Sequence, residues 1–150
     1  MTKKNINVLF VLLTFFFSCS TQEKYKNGMV VSAKAEASKA GISILKQGGN
    51  AFDAMIATDL ALAVVYPNAG NLGGGGFMVF RLSNDSIGSL DYREKSPSKS
   101  TKNMYLDENE TEIKGLSTYG GLAVGIPGTI AGLFETYEKF GSLPLSTLFK

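Results

Sequence analysis

The chain has 150 residues, 44% of them hydrophobic and 19% charged, which is typical of a globular protein. Its net charge is +2, and because Lys3 and Lys4 are the only charged residues before Cys19, residues 19–150 carry thirteen charges of each sign, which argues against a nucleic-acid partner. Histidine is absent, so Ser-His and Cys-His catalytic pairs and the common zinc sites are excluded within this chain, and the single cysteine cannot form an internal disulfide. We therefore expect no metal and no cofactor.

Residues 1–18 have the pattern of a secretory signal peptide, with two lysines before a short apolar run that is too short to span a bilayer comfortably. The sequence Phe16-Phe17-Ser18-Cys19 resembles a bacterial lipoprotein box, in which the cysteine is lipidated; ordinary secretion and a retained anchor are the alternatives. We expect an exported bacterial protein, periplasmic or membrane-anchored as a lipoprotein. Residues 19–28 form a polar tether, which argues against catalysis by Cys19, because a nucleophile needs a rigid support.

Two helices are predicted next. Gly28–Ser32 favours a short strand, with Ser32 capping a helix over Ala33–Gln47 that the following glycine pair ends. Asn50 and Asp53 then have the spacing of a capping box for a second helix.

The second helix is predicted over Ala51–Val65 and is apolar nearly all round, which indicates burial. Its small residues Ala54, Ala57 and Ala61 would let it lie close against a sheet. Tyr66-Pro67 ends it.

Four consecutive glycines, Gly73–Gly76, lead into a predicted hairpin with strands over Phe77–Leu82 and Ile87–Tyr92. The first strand is apolar on both faces apart from one arginine, which suits an interior strand, and residues 83–86 favour a turn. The glycines indicate either a tight backbone crossover or a loop beside a pocket. A nucleotide-binding loop is disfavoured, because such loops follow a strand and precede a helix.

The hairpin ends in Arg93 and Glu94. An arginine flanked by Asp91 and Glu94 is commonly a surface ion pair, whereas a planar guanidinium also suits bidentate recognition of a substrate carboxylate. Glu94 is a candidate to hold the guanidinium in orientation, or only to balance its charge.

The remaining chain is predicted as a surface loop over Ser96–Glu112, a strand over Gly120–Ile126, and a helix over Ile130–Phe140 that Gly141 closes. A further helix begins at Leu143, and because the chain stops within it we expect a fragment of a longer protein.

Four ordered segments together resemble the gamma-glutamyltranspeptidase family. They are Leu45–Ala54, with the glycine pair between two helices; Asn71–Met78, with the glycine run; Asp91–Pro97, with the arginine; and Gly125–Gly132. Lys95 and Ser96 depart from the small or apolar residues that many members have before the proline.

The resemblance implies an α+β fold, the four-layer αββα sandwich of N-terminal nucleophile hydrolases, of which residues 29–150 form the N-terminal part of the large subunit. It also implies a precursor that cuts itself into two subunits, and a threonine nucleophile on the small subunit that attacks gamma-glutamyl amides such as glutathione. The family's arginine binds the alpha-carboxylate of the glutamyl group, and this role carries over to Arg93.

We therefore expect hydrolysis of glutathione and other gamma-glutamyl amides, or transfer to amino acids and peptides, with no catalytic residue in this chain. By itself the chain is expected to be inactive and poorly stable. Two alternatives remain: a cephalosporin or glutaryl acylase of the same family, and a non-enzymatic surface lipoprotein that binds small acidic ligands.

Overall fold

The computed structural model describes residues 27–149, so the predicted signal peptide, Cys19 and most of the predicted tether lie outside the described residues. Within that range the elements are α1 (Ala35–Lys46), α2 (Ala51–Val65), β1 (Phe77–Arg81), β2 (Ile87–Asp91), a 3-10 turn (Gly121–Ala123), α3 (Thr129–Phe140) and α4 (Leu145–Leu148). None of the helices between residues 27 and 149 is both long and apolar enough to cross a membrane.

Helix α2 lies at the centre of the fold and packs chiefly against α1, with further contacts to α3 and α4. The core consists of buried apolar side chains from these four helices: Ile44, Ala54, Ile56, Ala57, Leu133 and Leu148. The predicted packing of the small face of α2 on a sheet is therefore wrong for the described residues, because α1 occupies that face. Full burial of α2 is also wrong at its C-terminal end, where Val64 is 79% exposed.

The capping box at the start of α2 is confirmed. The Asn50 Oδ1 atom accepts hydrogen bonds from the backbone N–H groups of Phe52 (2.8 Å) and Asp53 (3.0 Å), and the Asp53 carboxylate accepts one from the Asn50 N–H (2.9 Å). The preceding helix stops as predicted, with Gly48 in the left-handed region at φ +91°.

The strand predicted over Gly28–Ser32 is wrong for the described chain, which runs there without pairing to a neighbouring strand. A strand needs a hydrogen-bonded partner, and none of the residues from 27 to 149 supplies one here. The predicted cap is also wrong. Helix α1 starts at Ala35 after Lys34, while the Ser32 hydroxyl donates to the Lys34 carbonyl (2.8 Å) and lies 2.8 Å from the Ser38 hydroxyl.

Strands β1 and β2 form the predicted antiparallel hairpin, with Phe77 opposite Asp91 and Arg81 opposite Ile87. Its inner face packs on the helices, since the Phe80 ring lies 5.5 Å from that of Phe52 and 4.9 Å from that of Phe140. The outer face exposes three large apolar side chains: Phe77, Val79 and Ile87. The prediction that β1 is an interior strand is therefore wrong within the described chain, because β1 pairs there with one neighbour, β2.

The segment after the hairpin is irregular, as predicted for Ser96–Glu112, and Asp107 organises one turn by accepting hydrogen bonds from the N–H groups of Asn109 and Thr111. The strand predicted over Gly120–Ile126 is wrong. Gly120 has φ +87°, which breaks an extended run, and a 3-10 turn follows. Only Ile126 pairs, in a single bridge to Lys95.

Helix α3 confirms the prediction and begins one residue earlier, at Thr129. Gly141 ends the helix as predicted, and with φ −61° and ψ 141° the chain leaves the helix in an extended conformation. The short α4 then returns Leu148 to the core beside α2.

Candidate functional site

Three segments that are far apart in sequence meet at the end of the hairpin. They are the glycine loop (Gly73–Gly76), the arginine segment (Tyr92–Glu94) and the turn before α3 (Gly125–Thr129). Gly76 and Tyr92 exchange backbone hydrogen bonds of 3.4 and 3.0 Å, and the Gly74 carbonyl accepts from the N–H groups of Gly128 (2.8 Å) and Thr129 (3.1 Å). The glycine loop is thus clamped between the other two segments.

The glycines in these segments allow backbone to pack on backbone. A Cβ atom on Gly75 would lie 2.7 Å from both the Glu94 nitrogen and the Tyr92 carbonyl oxygen, and one on Gly128 would overlap that same carbonyl. The Tyr92 ring fills the space beside Gly76 and Gly132. These contacts favour the crossover interpretation of the glycine run, and they place the crossover directly against the arginine segment.

Arg93 presents its guanidinium to solvent, with 66% of its side chain exposed. Its Cζ atom lies 5.8 Å from the centre of the Phe77 ring, within the range of a cation–π contact. Asp91, one of the two acids that suggested a surface ion pair, accepts a hydrogen bond from the Arg93 backbone N–H instead (3.0 Å). The backbone of Arg93 is therefore fixed, while the guanidinium extends beyond it.

Glu94 lies beside Arg93, with its Oε2 atom 3.7 Å from the Arg93 Nε atom. This separation is longer than a hydrogen bond, so Glu94 forms an ion-pair contact and no bidentate pair with the guanidinium. Within residues 27–149, the donor fork of Arg93 thus keeps its capacity for a carboxylate ligand. The contact is compatible with both roles predicted for Glu94, which are to orient the guanidinium and to balance its charge.

Tyr92 lines a cleft of about 710 Å³, together with residues of α2 that include Met55, Asp59 and Leu62. Burial raises the pKa of the Asp59 carboxyl above its usual value. Burial, and secondarily the charge of Asp59, raises the pKa of the Tyr92 phenol. The phenol therefore stays neutral at physiological pH and acts as a packing group beneath the arginine segment.

A second cavity, of about 460 Å³, opens on the C-terminal side of Arg93. Its wall includes Glu94, Lys95 and Ser96 from the arginine segment and Ser100 and Tyr105 from the loop that follows. The hydroxyl oxygen of Ser100 is buried and has no hydrogen-bond partner among the described residues. No cluster of acidic, histidine or cysteine side chains within residues 27–149 could hold a metal ion.

The three segments that meet at this site all lie within the part of the chain that matches a known protein family. Residues 37–150 match the family model for gamma-glutamyltranspeptidase. The chain belongs to the gamma-glutamyltranspeptidase family. The predicted resemblance is thereby confirmed, and so is the predicted fold class, because the solved structures that the chain resembles are gamma-glutamyltranspeptidases.

Individual members of the family are closely similar to the chain. The glutathione hydrolase proenzyme of Pseudomonas sp. (strain A14) is 56% identical over 117 residues, which are 78% of this chain and 20% of that protein. The crystal structure of Helicobacter pylori gamma-glutamyltranspeptidase superposes with a TM-score of 0.81 at 47% identity, covering 85% of this chain and 36% of the other. Cephalosporin acylase from Bacillus halodurans is more distant, with a TM-score of 0.65, 26% identity, and coverage of 87% and 25%. The chain thus spans about a fifth of the length of its curated relatives.

Arg93 and Glu94, the two residues predicted for the site, lie side by side where the glycine loop, the arginine segment and the turn before α3 meet. Cys19 lies outside the described residues. Sequence reasoning missed the cavity beside Lys95 and Ser100, and it also missed the packing of Tyr92 under the loop. The departure of Lys95 and Ser96 from the family pattern was the one signal pointing to that cavity.

Proposed function

We propose that the protein to which this chain belongs catalyses gamma-glutamyl acyl transfer. It hydrolyses glutathione and other gamma-glutamyl amides, or transfers the acyl group to amino acids and peptides. The observation that supports this most strongly is the match of residues 37–150 to the gamma-glutamyltranspeptidase family, with the arginine segment held against the glycine loop.

Arg93 binds the alpha-carboxylate of the glutamyl group in this proposal. Two parallel N–H donors suit the two oxygens of a carboxylate, and each charge-assisted hydrogen bond contributes about 1.5–3 kcal/mol. The clamped backbone matters because a carboxylate held in a fixed place helps to hold the reacting carbonyl in position for attack. The guanidinium group contacts the Phe77 ring, with Cζ 5.8 Å from its centre, and the Glu94 carboxylate, with Nε 3.7 Å from Oε2.

The chemical step belongs to a threonine outside this chain, at the new N-terminus of a small subunit that the precursor releases by cutting itself. The threonine attacks the amide carbonyl, the amine leaves, and water or an amine acceptor takes the acyl group. This chain supplies binding and no nucleophile, so by itself it is inactive. Relatives named as proenzymes support a processed precursor.

An acylase remains the second candidate within the family, and the cephalosporin acylase neighbour is the observation in its favour. A glutaryl group is a glutamyl group without the amine, so its carboxylate would suit the same guanidinium. A non-enzymatic lipoprotein that binds small acidic ligands through Arg93 is the third candidate.

The test is to express the complete reading frame that contains this chain. We expect self-cleavage into two subunits and release of the dye from gamma-glutamyl-4-nitroanilide, with slower release from glutaryl-4-nitroanilide. Faster release from the glutaryl compound would replace the proposal by the acylase. If the protein is not cleaved and releases the dye from neither compound, the non-enzymatic lipoprotein that binds small acidic ligands is the candidate that remains.

We also propose export and lipidation of Cys19, supported by the sequence of residues 1–19. One acyl chain gives only weak, reversible membrane binding, so a stable anchor requires more than one chain on the modified cysteine. Labelled palmitate should enter the wild-type protein and not the Cys19→Ala variant. Equal labelling of both proteins would contradict this assignment.

A further inference from the structure

The cavity on the C-terminal side of Arg93 has the dimensions and chemistry of a ligand subsite. Its volume of about 460 Å³ lies within the range of small-molecule pockets. Its wall is lined by the polar residues Lys95, Ser96, Ser100 and Thr101 together with apolar residues such as Met104. A polar ligand of modest size therefore has both room and partners.

The Ser100 hydroxyl has an unmet capacity for hydrogen bonding. Its oxygen is buried and contacts no polar partner among the described residues. A buried hydroxyl without a partner costs free energy, so the Ser100 hydroxyl is a candidate hydrogen-bond donor to a ligand in this cavity. The neighbouring Tyr105 hydroxyl, by contrast, already donates to the Leu122 carbonyl at 2.8 Å.

Lys95 gives the cavity its preference for an anion. Of the described residues in the wall it is the one with positive charge, and its backbone is fixed by two hydrogen bonds to Ile126, of 3.1 and 2.8 Å. Glu94 also lies in the wall, but its carboxylate is 3.7 Å from the Arg93 guanidinium, which offsets its repulsion of a bound anion.

Glu94 lies between Arg93 and the cavity, because it contacts the Arg93 side chain and also lines the cavity wall. We propose that this cavity binds the carboxylate of the leaving group of the acyl donor, with Lys95 as its cationic partner and Ser100 as a hydrogen-bond donor. This inference rests on the proposed function. A donor is then held at both ends, by its alpha-carboxylate on Arg93 and by its leaving group beside Lys95.

The test compares two donors that differ by one carboxylate on the leaving group, gamma-glutamyl-4-nitroanilide and gamma-glutamyl-3-carboxy-4-nitroanilide, in hydrolysis by the complete processed enzyme. In Lys95→Met, kcat/KM for the carboxylated donor should fall about fivefold, since the ion pair is partly exposed, while the plain donor stays within about twofold. Lys99→Met is the matched control. It removes an exposed lysine from the same loop, outside the cavity wall, and should change neither donor.

Ser100→Ala provides a second, independent variant. It should lower kcat/KM for the carboxylated donor alone and leave the melting temperature unchanged or higher, because it removes an unpartnered hydroxyl. Equal losses on both donors, or no loss in either variant, would overturn the subsite. So would a Lys95→Met enzyme in which only transfer to glycylglycine is weakened, because the cavity would then hold the acceptor. If the wild-type enzyme turns over neither donor, the proposed function itself fails.

Discussion

The Gly128→Ala variant is expected to lose about 2–3 kcal/mol of folding stability and to raise KM for a gamma-glutamyl donor about tenfold. The added methyl group would overlap the Tyr92 carbonyl and crowd that of Arg93, and both neighbours are backbone atoms that cannot rotate away. Relief requires the turn and the arginine segment to separate. That movement breaks the hydrogen bonds from Gly128 and Thr129 to the Gly74 carbonyl and displaces Arg93.

Gly121→Ala is the matched control for this substitution, because a methyl group there meets nothing within 4 Å. Thermal melting and steady-state kinetics of the complete protein measure the two effects. Gly121→Ala should match the wild type in both. If Gly128→Ala also matched it, the close packing of the turn on the arginine segment would be wrong.

Asp53→Ala is expected to cost about 1.5–3 kcal/mol of stability, since it removes a buried carboxylate that accepts hydrogen bonds from several donors. Asp53 is fully buried, and its carboxylate accepts from the N–H of Asn50 (2.9 Å), the N–H of Ser142 (3.0 Å) and the Ser142 hydroxyl. The Asn50 side chain donates to the Phe140 carbonyl (2.7 Å). This network joins the start of α2 to the end of α3, so its loss frees both helix ends.

Asp53 should also make stability depend on pH. Burial alone raises the pKa of its carboxyl, but hydrogen bonds from Ser142, Asn50 and Leu143 outweigh burial and hold the pKa below its ordinary value. A lowered pKa in the folded state means that the contribution is complete above about pH 4 and is lost as the pH falls further, through the folded-state pKa.

Chemical denaturation between pH 3 and 7 measures this effect. The gap between the wild type and Asp53→Ala should narrow below about pH 4. Glu135→Ala, which removes an exposed carboxylate paired with Lys139, should cost about 0.5 kcal/mol or less. A gap that does not change with pH would show that the Asp53 charge contributes nothing.

The helices were predictable from sequence because their signals are local. The capping box at Asn50, the glycine pair after α1 and the apolar stripe of α3 each specify an element through neighbours within four residues. The strands predicted over Gly28–Ser32 and Gly120–Ile126 were wrong because pairing depends on a distant partner, which the described residues do not supply, and because Gly120 adopts a positive φ. Apolar composition alone cannot reveal either condition.

The candidate site was predictable only in part, because most of its contacts join residues that are far apart in the sequence. Arg93 could be chosen because its segment resembles a family pattern, whereas local spacing alone favoured a surface ion pair. The contacts of Tyr92 with Gly76 and Gly132 bring together residues up to 56 positions apart, and no local pattern encodes them. The cavity beside Lys95 depends on how a long irregular loop folds back, which composition does not determine.

The most direct measurement of the central claim pairs one substitution with one change in the donor. Arg93→Ala in the complete processed enzyme is compared with the wild type on gamma-glutamyl-4-nitroanilide and on 4-aminobutyryl-4-nitroanilide, which is the same acyl group without its alpha-carboxylate. If Arg93 binds that carboxylate, the substitution lowers kcat/KM for the first donor about 10- to 100-fold, mainly through KM, and leaves the poor activity on the second unchanged. Equal losses on both donors would contradict the account.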